Sequence, residues 1–356
     1  MAKRVGIEVS LALAEAVKLA NVDVVAAYPI TPQTHIVEHL AELVADGKLD
    51  AEYIPVESEH SAMSACVGSA AAGAKTFTAT AGQGLELMHE VLYGASSMRL
   101  PIVMAVANRA LSSPLSIWGD HSDVMAVRDT GWIQIFTENG QDAVDNTLCA
   151  FRIAADKRVL LPVMVHLDGF HLTHMIEPIY LPDQAEVDRF LPPYDYAPPL
   201  DISRPATIGV VGPPFIYTET KKAQVAAFDA ALGPIEECWA EFARQFGRTY
   251  RPVETYRTDG ARTLLLTMGS YGETAMEAID QMRGQGKDVG LVRLRLWRPF
   301  PFAELREAVK EADVLVVLDR AVSPGGTRPA VVRSHTAAGS DRPLPDRVGR
   351  SARSYG

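Results

Sequence analysis

From residue 8 to residue 166 the chain alternates short apolar strand patterns with helical ones, joined by brief connections. Helical periods run over 8–20, 33–45, 58–72, 85–97 and 141–155. Strand patterns lie at 22–27, 53–56, 76–80, 102–107, 132–137 and 160–166. Sustained strand–helix–strand order leaves few solutions other than a mostly parallel sheet covered by helices on both faces. On such sheets ligands bind outside the carboxyl ends of the strands, so the loops after the strands are where chemistry is expected. A length of 356 residues fits two domains, with 1–177 as the first.

Prolines recur between 178 and 214 and periodicity is lost, which reads as an extended connector with one strand at 206–211. One long helix is expected over 218–246, closing a connecting region of 178–260. A second, smaller α/β unit occupies 261–322: strands at 263–268, 289–293 and 314–318, helices at 271–285 and 302–311. The tail, 323–356, carries Arg328, Arg333, Arg342, Arg347, Arg350 and Arg353 but no lysine and no apolar period, and is expected to be irregular.

A net charge of −10 argues against a phosphate-backbone binder, so nucleic acid is not the expected partner. No apolar run is long enough to cross a membrane, and the start lacks a secretory pattern. Cys66, Cys149 and Cys238 are far apart and form no CxxC, which suits a reducing cytoplasm and leaves no cysteine-ligated cluster on this chain.

Three strand-end loops carry polar residues that core packing does not call for. In Tyr28-Pro29-Ile30-Thr31-Pro32 two prolines stiffen a turn around Thr31. Its hydroxyl and N–H suit a carboxylate or phosphate, or else only cap the next helix. In Val56-Glu57-Ser58-Glu59-His60 the helix dipole explains one glutamate cheaply but not both. The helix that follows is nearly all small residues, so something should approach it closely. In Val106-Ala107-Asn108-Arg109-Ala110 the arginine ends an apolar strand and needs an anion, or else a salt bridge to Asp120 or Asp123. Thr80-Ala81-Gly82-Gln83-Gly84-Leu85 is a glycine turn that serves equally as a tight turn or a phosphate loop. His166, Asp168, His171 and His174 read as loop structure, and no metal-ligand set is visible on the chain.

Taken in order, these stretches, with Asn108-Arg109-Ala110-Leu111-Ser112, Ile117-Trp118-Gly119-Asp120-His121-Ser122-Asp123 and Leu161-Pro162-Val163-Met164-Val165, resemble the α subunit of the pyruvate:ferredoxin oxidoreductase family. Leu296-Trp297-Arg298-Pro299-Phe300-Pro301 looks like the transketolase C-terminal-type domain. The resemblance implies a thiamine diphosphate-binding (pyrimidine-domain) parallel sheet plus a smaller transketolase C-terminal-like α/β domain. It implies an enzyme that cleaves a 2-oxo acid with coenzyme A to acyl-CoA and CO2 and reduces ferredoxin. Glu59 matches the glutamate that meets the aminopyrimidine N1′, with Pro29, Gly82 and Gly84 as further cofactor contacts. Thr31 and Arg109 match the residues that hold the substrate carboxylate and carbonyl, and Leu115 and Ile117 the apolar positions beside its side chain.

The family's magnesium signature, GDG followed by a distant Asn, is absent from the sequence, as are cluster cysteines. By resemblance, a β subunit supplies the diphosphate half, Mg2+ and a [4Fe-4S] cluster, a γ subunit a coenzyme A-related domain, and a ferredoxin-like δ subunit two more clusters. The chain is expected to be inactive alone. Pyruvate is the expected substrate, with a branched-chain or aromatic 2-oxo acid as the alternative. A noncatalytic scaffold subunit is the alternative from another class. After about Val322 the pattern resembles a divergent end or a shifted reading frame.

Overall fold

The computed structural model describes residues 3–196, 200–209 and 211–324, together with the backbone of Val348–Gly349. Its larger sheet has seven strands. In chain order they are β2 (Val24–Ala27), β3 (Glu52–Pro55), β4 (Thr76–Thr80), β5 (Ile102–Asn108), β6 (Ile133–Phe136), β7 (Val163–Asp168) and β12 (Leu296–Arg298). Across the sheet the order is β12-β6-β7-β5-β4-β2-β3, and every pairing is parallel except β12 with β6. Every residue of β4, β5 and β7 is buried, as expected at the centre of a doubly covered parallel sheet, and this includes the three threonines of β4 and His166 and Asp168 of β7. One face is covered by α1 (Val9–Leu19), α2 (Thr34–Ala45), α6 (Gly140–Ala155) and α9 (Leu232–Phe246), which share a core around Leu13, Ile36, Leu148 and Trp239. The other face is covered by α3 (Glu59–Ala71) and α4 (Gly82–Ser97) through Ala62, Met63, Leu85 and Met88.

The smaller sheet has the order β14-β13-β10-β11-β9, with β9 (Val253–Tyr256) antiparallel and β10 (Thr263–Thr267), β11 (Val289–Leu294), β13 (Val314–Val317) and β14 (Val348–Gly349) parallel. Helices α10 (Tyr271–Gly284) and α11 (Phe302–Val309) complete it. The Leu296-Trp297 motif does not stay in this unit. As β12 it pairs with β6 of the larger sheet, with Leu296 and Trp297 fully buried, so it straps the two units together.

Several expectations need correction. The strand expected at 206–211 is absent from the described part of that stretch. The proline-rich region instead contains β8 (Ile176–Leu181), paired antiparallel with an unforeseen β1 (Lys3–Glu8), and α7 (Gln184–Phe190) with an Asp183–Glu186 capping box. The single long helix is two, α8 (Pro214–Ala230) and α9, because Pro234 lacks the N–H that would continue the ladder through the bend at Ala231. A short helix, α5 (Ser122–Val127), occupies the loop after β5. Of the tail, residues 325–347 and 350–356 lie outside the described residues, while Val348–Gly349 pairs with Leu315 and Val316. Among the described residues no helix is long and apolar enough to cross a membrane.

Candidate active site

Strand order places the ends of β3, β2, β4 and β5 side by side, so the loops carrying Glu59, Thr31, Gly82–Gly84 and Arg109 meet at one edge. The two glutamates divide the roles that sequence left open. Glu57 is exposed and accepts the Ser61 hydroxyl at 2.5 Å, while Ser58 caps α3 by accepting from the Ser61 N–H at 3.2 Å. Glu59, at the first position of α3, is buried. No described residue hydrogen-bonds its carboxylate, which packs over the α-carbon of Gly84. A Cβ there would stand 2.6 Å from Glu59 Oε1 and 2.6 Å from Thr80 Oγ1. The Thr80 hydroxyl is itself buried without a partner. Glycine at position 84 therefore lets the Glu59 carboxylate and the Thr80 hydroxyl close onto the first turn of α4, and it leaves two polar groups at one point without a partner among the described residues.

Arg109 does not form the salt bridge weighed for it. Its guanidinium donates to the Thr31 carbonyl (Nη1, 2.6 Å) and to Gln83 Oε1 (Nη2, 2.6 Å), and Nε has no partner. To reach Thr31 the side chain crosses Gly82, whose backbone is left-handed (φ +48°). A Cβ there would lie 2.7 Å from Arg109 Cγ. Glycine is required both for the φ and for the crossing. Burial lowers the Arg109 pKa, and the charges of Asp123 and Glu59 act against that. Glu59 and Arg109 therefore sense each other at the same strand edge.

Thr31 does not cap α2. Gln33 stands at the N-cap without a side-chain cap bond, and Thr31 is exposed on a turn containing a cis Thr31–Pro32 bond. Gln33, fully buried, ties that turn to the sheet by donating to the carbonyls of Tyr28 (2.8 Å) and Ala79 (3.2 Å). Pro29 is exposed beside it. Leu115 (73% exposed) and the half-buried Ile117 sit on the loop between β5 and α5, which is anchored by Gln83 Nε2 donating to Ser112 Oγ at 2.8 Å. Leu115 is thus not dry within this chain. The small-residue helix is approached closely on one side only. Ala62, Cys66 and Ala70 are buried, while Ser64 and Gly68 are exposed, and a Cβ on Gly68 would meet nothing within 4 Å.

At the end of β7, Asp168 ties the two units together. Asp168 accepts from Ser270 N (2.7 Å) and Ser270 Oγ (2.6 Å) at the start of α10, contacts His121 Nε2 at 2.8 Å and pairs with Arg320 at 2.6 Å. Burial pushes its carboxyl up, but Arg320 and then His121 overcome that and hold it well below the usual carboxylate range. Arg320 also donates to the Gly119 carbonyl, so the Leu115 loop, the large sheet and the second unit meet on one carboxylate. Sequence reading passed over Gln83 and left Asp123 only as a salt-bridge option. Gln83 lies in the quoted glycine turn, where the one long polar side chain was the available signal.

Residues 15–238 match the family model for the thiamine diphosphate-binding region of pyruvate flavodoxin/ferredoxin oxidoreductase, and residues 261–351 that for pyruvate:ferredoxin oxidoreductase core domain II. The second match extends past Val322. The chain is 54% identical over 326 residues to the pyruvate synthase subunit PorA of Methanocaldococcus jannaschii, spanning 90% of this chain and 83% of that one. It is 44% identical over 319 residues to the ketoisovalerate oxidoreductase subunit VorA of Pyrococcus abyssi, spanning 88% and 80%. The solved structure of 2-oxoglutarate:ferredoxin oxidoreductase from Magnetococcus marinus superimposes with a TM-score of 0.78 at 19% identity, covering 97% of this chain and 62% of that one. That agreement is one of fold.

Proposed function

This chain belongs to the pyruvate flavodoxin/ferredoxin oxidoreductase family, and from that premise we propose that it is the thiamine diphosphate-holding α subunit of a pyruvate synthase. Pyruvate and coenzyme A give acetyl-CoA, CO2 and one proton, and two electrons pass to oxidised ferredoxin; the reverse direction uses the same site. The higher identity to a pyruvate synthase subunit than to a ketoisovalerate oxidoreductase subunit favours pyruvate over a branched-chain or aromatic 2-oxo acid.

The observation that carries the reading is Glu59, a buried residue whose carboxylate takes no hydrogen bond from any described residue, packed against Gly84 at the strand edge it shares with Arg109. That is where the aminopyrimidine N1′ would be held, with Pro29, Gly82 and Gly84 around it. When bound, thiamine diphosphate supplies the nucleophilic carbon and takes up the electron pair released with CO2. Glu59 holds a proton at its carboxylate for the ring nitrogen. Arg109 and Thr31 fix the carboxylate and carbonyl of the 2-oxo acid, through a charge-assisted contact that orients it for attack. Leu115 and Ile117 exclude water once a partner covers them.

The same proposal assigns the diphosphate half, Mg2+ and a [4Fe-4S] cluster to a β subunit, a coenzyme A-related domain to a γ subunit and two clusters to a ferredoxin-like δ subunit. This chain's lack of the magnesium signature and of cluster cysteines supports that division. Three buried free thiols are in keeping with a cytoplasmic site. The test is steady-state turnover of the assembled complex with pyruvate, 2-oxoisovalerate and phenylglyoxylate. A kcat/KM at least about tenfold higher for pyruvate is expected, since one extra methylene or ring changes preference by about 1–3 kcal/mol. Equal or better turnover of the larger acids would reject the pyruvate assignment.

A further inference from the structure

The carboxylate of Asp123, at the start of α5, is completely buried beneath the Arg109 turn. Its Oδ2 accepts the backbone N–H groups of both Arg109 (3.0 Å) and Gly82 (3.1 Å). Its Oδ1 accepts from Asn108 Nδ2 (3.0 Å) and from the N–H of Val124 (2.7 Å). One oxygen therefore registers the arginine against the glycine that its side chain must cross. The two belong to turns after different strands, β5 and β4, beyond the last register pair of that ladder, Thr80 with Val106. We propose that Asp123 is a positioning residue for Arg109, setting where the guanidinium meets the 2-oxo acid.

The proposal rests on the role given to Arg109 above. Four donors converge on the carboxylate, so the acid suits the site better than any uncharged side chain of the same size. Burial pushes its pKa up to about 6, against these four bonds, so it is ionised at neutral pH. Aspartate to asparagine preserves shape but turns one acceptor into a donor that faces two donors. Asn108 Oδ1 is without a partner and can receive that donor if the Asn108 amide turns, so Asp123→Asn retains part of the arrangement. Asp123→Leu retains none of it.

The experiment is a double-substitution cycle in the assembled complex, comparing Asp123→Asn, Asp123→Leu, Arg109→Leu and Asp123→Asn with Arg109→Leu, with thiamine diphosphate affinity measured calorimetrically alongside turnover. Expected is a KM for pyruvate raised about 3- to 30-fold in Asp123→Asn and more in Asp123→Leu, with cofactor affinity, which Gly82 also serves, changed by a smaller factor than KM in each. In the Arg109→Leu background Asp123→Asn should have no further effect on KM. A KM within twofold of wild type in Asp123→Asn, or an equal increase in both backgrounds, overturns the proposal while leaving the Arg109 role intact. An unchanged KM in Arg109→Leu overturns the Arg109 role and this proposal with it. If Asp123→Leu does not assemble, the Asp123→Asn cycle decides alone.

Discussion

Gly84 lies directly against Glu59, so close that a methyl group on its α-carbon would stand 2.6 Å from Oε1 and 2.8 Å from Cγ of the glutamate. Gly84 is inside the first turn of α4 with a helical backbone, so glycine is not needed there for conformation. Its value is the close approach it allows the Glu59 carboxylate and the Thr80 hydroxyl.

Gly84→Ala should therefore separate folding from function. Alanine improves helix propensity by about 1 kcal/mol, which offsets part of the steric cost, and the variant should melt within a few degrees of wild type. Displacement of the Glu59 carboxylate should weaken thiamine diphosphate binding about tenfold or more. Calorimetric titration of the complex checks this, and wild-type affinity would mean that the close approach is only packing.

Arg109→Lys keeps the charge but loses the planar fork that spans the Thr31 carbonyl and Gln83 Oε1. Loss of a charge-assisted contact costs about 1.5–3 kcal/mol. Pyruvate kcat/KM should fall about 10- to 100-fold with the cofactor affinity unchanged, as read from initial rates across a substrate series.

Asp168→Asn should loosen the junction between the two units, because the carboxylate serves His121, Ser270 and Arg320 together. Removing one partner of a buried charge pair costs about 3–5 kcal/mol. Urea unfolding should show a loss of about that size or a separate early transition from the second unit. The Asp168 pKa is held low, so its contribution is complete above the ordinary carboxylate range and is lost only as pH falls below it.

Glu138 gives the opposite pH dependence. Burial pushes its pKa up to about 7, against the pull of Arg295 and Arg293. The folded state then binds a proton that the unfolded state has released, so stability falls as pH rises from about 4.5 to about 7 and is level above. In Glu138→Gln, which cannot titrate, that slope should disappear. Between pH 5.5 and 7 the wild type should lose on the order of 1–2 kcal/mol relative to the variant in matched urea melts. Parallel curves would contradict the shift.

The parallel order of the large sheet was legible because strand and helical patterns alternate along the chain and β5, buried on both faces, reads as an apolar run from Ile102 to Ala107. The edge pair β1 and β8 was not, since most of its residues are exposed or half-buried and it carries too little apolar alternation to stand out. The break between α8 and α9 was visible only in Pro234, amid a helical period that continued on both sides. β12 was legible as a motif but not as a partner of β6, because pairing between distant segments leaves no local pattern. In the site, Thr31, Glu59, Gly82 and Arg109 stood out as polar or glycine residues at strand ends. Asp123 did not, because its four partners are mostly backbone N–H groups, which every residue type provides.

The most direct measurement is the rate at which enzyme-bound thiamine diphosphate exchanges its C2 proton with deuterium in assembled complexes carrying Glu59→Gln. A carboxylate that shares a proton with the ring nitrogen predicts a fall of about 100-fold or more, with subunit assembly and melting temperature unchanged. Exchange at the wild-type rate in an intact complex would contradict it.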